Sequence, residues 1–218
     1  VVFFSYIATL WKGSIQLTTA MWFAIGFMAE FLIGGITGIY LGSSAFDIYA
    51  HDTYFVTAHF HYTLIPIVFY GGLTGIYYWY PKFIGKMLNE TLGKIHFFLT
   101  TISFNFIFIP LFLTGLKGEH RRIFDYSLFP SFITPEMIQL RQIATIATIV
   151  LVLAQIPFVI NLIMSFLKGE IAERNPWKAN SLEWVTASPP PHGNFEVYPT
   201  TYRGAYEYSV PGRSDDYW

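Results

Sequence analysis

His51-Asp52-Thr53-Tyr54-Phe55-Val56-Thr57-Ala58-His59-Phe60-His61 holds three of the chain's six histidines and opens an apolar run that continues through Tyr80. If the run is helical, each residue turns ~100° about the axis, so His59 and His61 point roughly 200° apart. They leave opposite sides of the helix. One small tetrahedral ion is poorly placed to take both imidazoles, whereas two large flat cofactors on either side of one helix can take one each. His51 precedes His59 by eight residues, about 12 Å along the axis at ~1.5 Å per residue, and belongs to a different site. Its neighbour Asp52 adds a hard oxygen ligand.

Outward from this stretch the composition is that of a membrane protein. Hydrophobic residues make up 53% of the 218, aromatics 20% and charged residues only 12%, against about a quarter charged in soluble domains. The formal charge of −1 and the lack of a basic tract or glycine-rich phosphate loop speak against nucleic acid as a partner. With no cysteine, disulfides, thiolate metal sites and heme attached through Cys-x-x-Cys-His are excluded. Any metal or heme must be held by His, carboxylate or neutral oxygen.

The expected fold is an all-α membrane protein, a transmembrane helix bundle with four complete spans, an N-terminal helix remnant and a polar C-terminal tail. VVFFSYIATL (1–10) is too short to cross a hydrocarbon core, which takes about 20 apolar residues. It reads as the last turns of a helix, with no charged leader or cleavage signal before it. The spans are expected at Leu17 to Leu41, Asp52 to Tyr80 with a kink at Pro66, Ile95 to Leu116, and Ile143 to Leu167. The small residues Gly34, Gly35, Thr37 and Gly38 allow close helix contact in the first. Links run from Gly42 to Ala50, Pro81 to Gly93 and Lys117 to Gln142. Residues 1–168 form the bundle, and 169–218, with Pro189-Pro190-Pro191, an irregular water-facing tail.

Basic residues orient the spans, because cytoplasmic loops carry the excess. With the tail inside, Lys12, Lys82, Lys86, Lys94, Lys168, Arg174 and Lys178 are inside, and Lys117, Arg121, Arg122 and Arg141 outside. His51 and Asp52 then lie near the outer surface, on the side of Arg121-Arg122.

HDTYFVTAHFHY closely resembles the heme-ligating segment of subunit I of the heme-copper oxidase family, cytochrome c oxidase type. The likeness extends through GGITGIYLGSSAFDIYAHDTYFVTAHFHY, LNETLGKIHF, Gly115 to Tyr126 with its double arginine, and SLEW and SPPPH in the tail. It covers most of the chain as roughly the C-terminal third to two-fifths of that subunit. The resemblance implies that His59 is the axial ligand of a high-spin heme where oxygen is reduced, His61 one of two axial ligands of a low-spin heme, and Phe60 lies between the hemes. It implies magnesium at His51 and Asp52 with a further carboxylate from subunit II, Asp47 near the heme propionates, and Arg121 and Arg122 paired with those propionates. Arginine suits carboxylates because its planar fork is bidentate and stays charged. Copper would be ligated by residues outside this segment. The implied partners are subunit II and other oxidase subunits, the N-terminal part of subunit I, membrane lipid, and cytochrome c or a quinol as electron donor. The implied location is a bacterial plasma membrane or the mitochondrial inner membrane.

Two positions depart from the family pattern. Val2 stands where many members have a proton-conducting lysine, and Glu30 sits mid-helix where the pattern is apolar. A carboxyl at membrane depth costs about 2–3 kcal/mol unless neutral, paired or wet, so Glu30 is expected to face the interior or a water chain and to serve proton uptake. The plainer readings stand beside these. His51-Asp52 also suits an ordinary helix start, Arg121-Arg122 a solvated loop, and His96 a helix-packing hydrogen bond. His120 and His192 fall in polar segments. A quinol oxidase of the same family, or a cofactor-free membrane transport or assembly subunit, are the alternatives to a cytochrome c oxidase.

Overall fold

The structure, a computed structural model, describes residues 1–128, 131–195 and 198–199, without the side chains of Val2 and Ser127. The reading of Val2 therefore lies outside the described residues. Helices are α1 (Val2–Leu10), α2 (Thr19–Leu41), α3 (Ser44–Ala50), α4 (Tyr54–Ile65), α5 (Gly71–Ile84), α6 (Glu90–Leu116), α7 (Pro135–Leu153) and α8 (Ile156–Lys168), with a π-helical segment, Pro66–Tyr70, between α4 and α5. No strand forms among the described residues, only the isolated bridges Thr53 to His120 and Lys86 to Ile171.

Local chemistry starts each long helix. The side chains of Thr18, Thr53, Asn89 and Thr134 accept from the backbone N–H of Met21, Phe55, Leu92 and Met137, filling donors that a helix start leaves open. Pro66 has no N–H to return to the Tyr62 carbonyl, and the backbone widens into the π-helical segment at that point.

Among the described residues, three helical stretches are long and apolar enough to cross a membrane: Thr19–Leu41 (23 residues), Glu90–Leu116 (27) and Pro135–Lys168 (34). The expected second span corresponds to α4, the π-helical segment and α5, which follow one another without a gap from Tyr54 to Ile84. Four features differ from the sequence reading. The second span runs through Pro81 to Ile84, past its expected end at Tyr80. The Gly42 to Ala50 link contains α3, closed by Asp47 N–H on Ser43 O. The third span starts earlier, at the Asn89 cap. The fourth starts at Pro135 behind the Thr134 cap and breaks between Leu153 and Ile156.

Helix α6 packs against α7, α4, α8 and α2, and α2 also packs on α4 and α5. Two aromatic cores result. One gathers Phe55, Ala58, Tyr62, Phe104, Phe108 and Phe112. The other gathers Phe23, Tyr70, Leu73, Tyr77 and Phe97. Close backbone approach locks the bundle. A Cβ on Gly34 would lie 2.6 Å from Tyr62 O, and one on Gly115 would overlap the backbone of Phe55.

The first part of the tail is packed on the bundle. Trp184 is fully buried and donates from Nε1 to Tyr78 Oη at 2.9 Å. Lys82, 4% exposed, donates from Nζ to the carbonyls of Thr186 (2.8 Å), Arg174 (3.2 Å) and Ala187 (3.3 Å) and lies 4.9 Å from the Trp184 ring. Lys82→Met strips these acceptors of their donor. The expected cost is about 2 kcal/mol, read as faster proteolysis within 174–187 of the membrane-bound protein. Unchanged cleavage would refute the latch.

Candidate functional site

The Thr53 cap sets where α4 begins and hence the directions in which its histidines leave. His59 lies on α2: its Nδ1 is 3.1 Å from Thr37 Oγ1, and a Cβ on Gly38 would stand 2.9 Å from its Cε1. His61 lies on α6, stacked between Phe60 (ring centroids 4.4 Å) and Phe108 (4.3 Å). The two imidazoles thus turn to different neighbouring helices.

Their tautomers follow from their partners. His61 Nδ1 is 2.8 Å from Thr57 O, and a carbonyl only accepts, so Nδ1 carries the hydrogen. The Thr37 hydroxyl lies 2.9 Å from Ile33 O and 3.0 Å from Gly34 O, and with its single hydrogen on either carbonyl it accepts from His59 Nδ1. Each ring keeps a bare Nε2 lone pair with the opposite nitrogen anchored, the state in which imidazole binds a metal. The donor set fits axial ligation of heme iron at two separate positions.

His96 differs. Tyr77 Oη lies 3.2 Å from its Nδ1 and Gln155 Oε1 3.0 Å from its Nε2. Both nitrogens are occupied in a fully buried ring, which makes it a packing residue.

The second cluster sits where the Lys117 to Thr134 loop crosses the mouth of α4. Tyr54 N–H donates to Glu119 O and Arg121 N–H to Asp52 O, each at 2.9 Å. Arg121 Nη2 then reaches Asp52 Oδ1 at 3.0 Å. On the other side, His51 Nε2 is 3.5 Å from Asp52 Oδ2 and His51 Nδ1 is 3.7 Å from Asp47 Oδ2. Arg122 is exposed, with φ of 69°. Glu119, fully buried, forms an ion pair with Arg141, whose guanidinium lies 3.7 Å from the Tyr126 ring centroid. The Arg121 hydrogen bond holds the Asp52 carboxyl below its ordinary range, more than desolvation raises it. With the folded-state value depressed, the link persists at neutral pH and is lost only as pH falls through that lower value.

Among the described residues no three His, Asp or Glu converge as a metal cage. His51 and Asp52 Oδ2 offer two donors, a partial shell for a hard cation that takes about six oxygens. The pairing of Asp52 with Arg121 was not foreseen from sequence, nor was Thr37 as the partner of His59. A threonine facing a histidine across two helices leaves no periodic signal.

A helical membrane protein with two histidines leaving one helix toward different neighbours is thereby defined. Residues 1–150 match the family described as "Cytochrome C and Quinol oxidase polypeptide I". The chain belongs to that family. It is 47% identical to cytochrome c oxidase subunit 1 of Synechocystis sp., over 95% of this chain and 36% of that protein. It is 46% identical to the same subunit of Thermostichus vulcanus, over 97% and 37%. The fold is similar to a solved chain of a heme-copper terminal oxidase dimer, with a TM-score of 0.61 and 23% identity over 71% of this chain and 28% of that one. The chain thus spans little more than a third of the curated relatives it matches.

Proposed function

We propose that this chain is part of the catalytic subunit of a proton-pumping terminal oxidase that reduces oxygen to water. The observation that carries the reading is the pair His59 and His61, each with Nδ1 anchored and Nε2 bare, directed at different neighbouring helices. His61 would hold a low-spin heme and His59 a high-spin heme, with Phe60 next to both. The hemes supply electron transfer and oxygen chemistry when bound. The chain's own part is to fix the two rings. Thr57 O and the Thr37 hydroxyl prevent either imidazole from turning its Nδ1 outward, and Phe108 holds the plane of His61.

Arg121, Arg122 and Asp47 would serve the heme propionates, and Arg121 would then be shared between Asp52 and a propionate. His51 and Asp52 would hold magnesium, with further oxygen ligands from water and a carboxylate of subunit II. Copper is held by residues of the N-terminal part of subunit I, and the electron donor is cytochrome c or a quinol. The helical run Tyr54 to Ile84 adds a crossing between the first two apolar spans, so that 1–168 is a four-span bundle; of the tail proposed over 169–218 to face water and other subunits, the part up to Thr186 is packed on the bundle and 200–218 lie outside the described residues. The membrane is a bacterial plasma membrane or the mitochondrial inner membrane.

A reduced-minus-oxidised spectrum of the purified complex tests this reading. Signals of one low-spin and one high-spin heme are expected. A complex with no heme signal would sink the oxidase reading and favour a transport or assembly subunit.

A further inference from the structure

Glu30 stands at the midpoint of α2, equally far from Thr19 and Leu41, and is 3% exposed. Among the described residues no Lys, Arg or His forms an ion pair with it. Its surroundings are neutral: Tyr62 from α4, Tyr70 from the π-helical segment, and Thr101 and Asn105 from α6. A carboxylate without a cation at this depth is strongly disfavoured, and such a group takes up a proton instead.

The hydrogen bonds say where that proton sits. Asn105 Nδ2 is 3.0 Å from Thr101 O, which only accepts, so the amide orientation is fixed. Its other face takes the Tyr62 hydroxyl, which donates to Asn105 Oδ1 at 2.8 Å. The second Nδ2 hydrogen then points to Glu30 Oε1 at 2.6 Å. With Oε1 already accepting, the acid hydrogen belongs on Oε2, which has no hydrogen-bond partner among the described residues. Tyr70 does not compete, since its hydroxyl donates to Thr101 Oγ1 at 3.1 Å. A widened π-helical turn faces this layer, the kind of irregularity that gathers at functional positions.

We propose that Glu30 is a proton-carrying site in the middle of the membrane, a neutral carboxyl held by Asn105 so that its hydrogen lies on the free oxygen Oε2. A water molecule takes the hydrogen from Oε2 as hydronium, and the Asn105 N–H stabilises the carboxylate left behind. A second water's hydronium returns a proton to Oε2. One proton passes, and the acid is restored with no electron moved. Tyr62 and Asn105 are positioning residues. The assignment rests on the oxidase reading above and deepens it.

The test uses the complete oxidase with Glu30→Gln and Glu30→Asp. Heme spectra come first, because their loss from the parent complex sinks the oxidase reading, whereas intact hemes leave Glu30 to be judged alone. Infrared difference spectra of the parent are expected to show a protonated carboxyl band that shifts in D2O and vanishes in Glu30→Gln. Turnover and proton uptake of that variant are expected to fall on the order of a hundredfold, the low end for a positioned proton-transfer group. Glu30→Asp is expected to keep a displaced band and part of the turnover. It carries the test alone if Glu30→Gln does not assemble, and parent band and parent turnover in Glu30→Asp would then overturn the proposal. A packing role predicts the reverse order, since a neutral amide of equal size suits the site better than a shortened acid. Parent-level turnover and proton uptake in Glu30→Gln overturn the proposal, as does a parent without any band that this variant removes.

Discussion

The complex carrying His61→Ala is expected to assemble without its six-coordinate low-spin heme spectrum, while His59→Ala keeps that spectrum and loses the high-spin one. The division follows from the helix. Two residues apart on α4, the rings rest on different helices, His59 beside Thr37 and Gly38 of α2 and His61 against Phe108 of α6. Neither imidazole can swing round to replace the other, so under the proposed ligation each substitution removes one ligand only. Weaker substitutions grade the effect. Thr37→Val deletes the acceptor of His59 Nδ1 but leaves the ring, and loss of such an outer partner typically weakens binding about 10- to 100-fold. The expected result is a high-spin heme that dissociates more readily beside an unchanged low-spin one. Spectra of the purified variants separate these outcomes, and a low-spin signal surviving in His61→Ala would remove His61 from the ligand set.

Gly115→Ala is expected to be the most damaging single-methyl change in the bundle. The added Cβ overlaps backbone atoms of Phe55, next to the Thr53 cap from which α4 starts. A flexible side chain can move aside, but backbone at a helix start moves only with its helix. Separating α6 from α4 disturbs the Phe55, Phe112 and Tyr62 packing, whose ring centroids lie 4.8 and 5.5 Å apart in successive pairs. Overpacking at well-filled sites costs up to about 3 kcal/mol. Gly35→Ala is the matched control, since its Cβ meets nothing within 4 Å, and alanine is favoured over glycine in a helix by about 1 kcal/mol. Thermal denaturation in detergent should show the first variant poorly folded and the second equal to the parent or better. Equal melting of the two would mean that the α4–α6 contact is looser than described.

Much of this arrangement was legible in the residues. Long apolar runs mark α2, α6 and the α7–α8 stretch because lipid demands them, and the spacing of His59 and His61 fixes their divergence once α4 is helical. Pro66 marked the irregular turn. Other features depend on pairs far apart in sequence. Nothing local to Glu30 points to Asn105, 75 positions on, and nothing in Asp52 selects Arg121 over other basic residues. The start of α7 was missed because Glu136, Gln139 and Arg141 look like loop residues on hydropathy alone. Thr134-Pro135 is a cap followed by a first-turn proline, and that signal was available.

The Lys82 latch also imposes an order in time. Its carbonyl acceptors lie 92, 104 and 105 positions further along the chain. At ~5–20 residues per second, a ribosome reaches them roughly 5–20 s after making Lys82. Until then the ammonium at the end of α5 has none of the three carbonyls and depends on water or lipid headgroups. The finished contact therefore records that α6, α7 and α8 have all been synthesised, and a chain stalled before residue 174 leaves behind an uncovered charge that quality-control proteases can recognise.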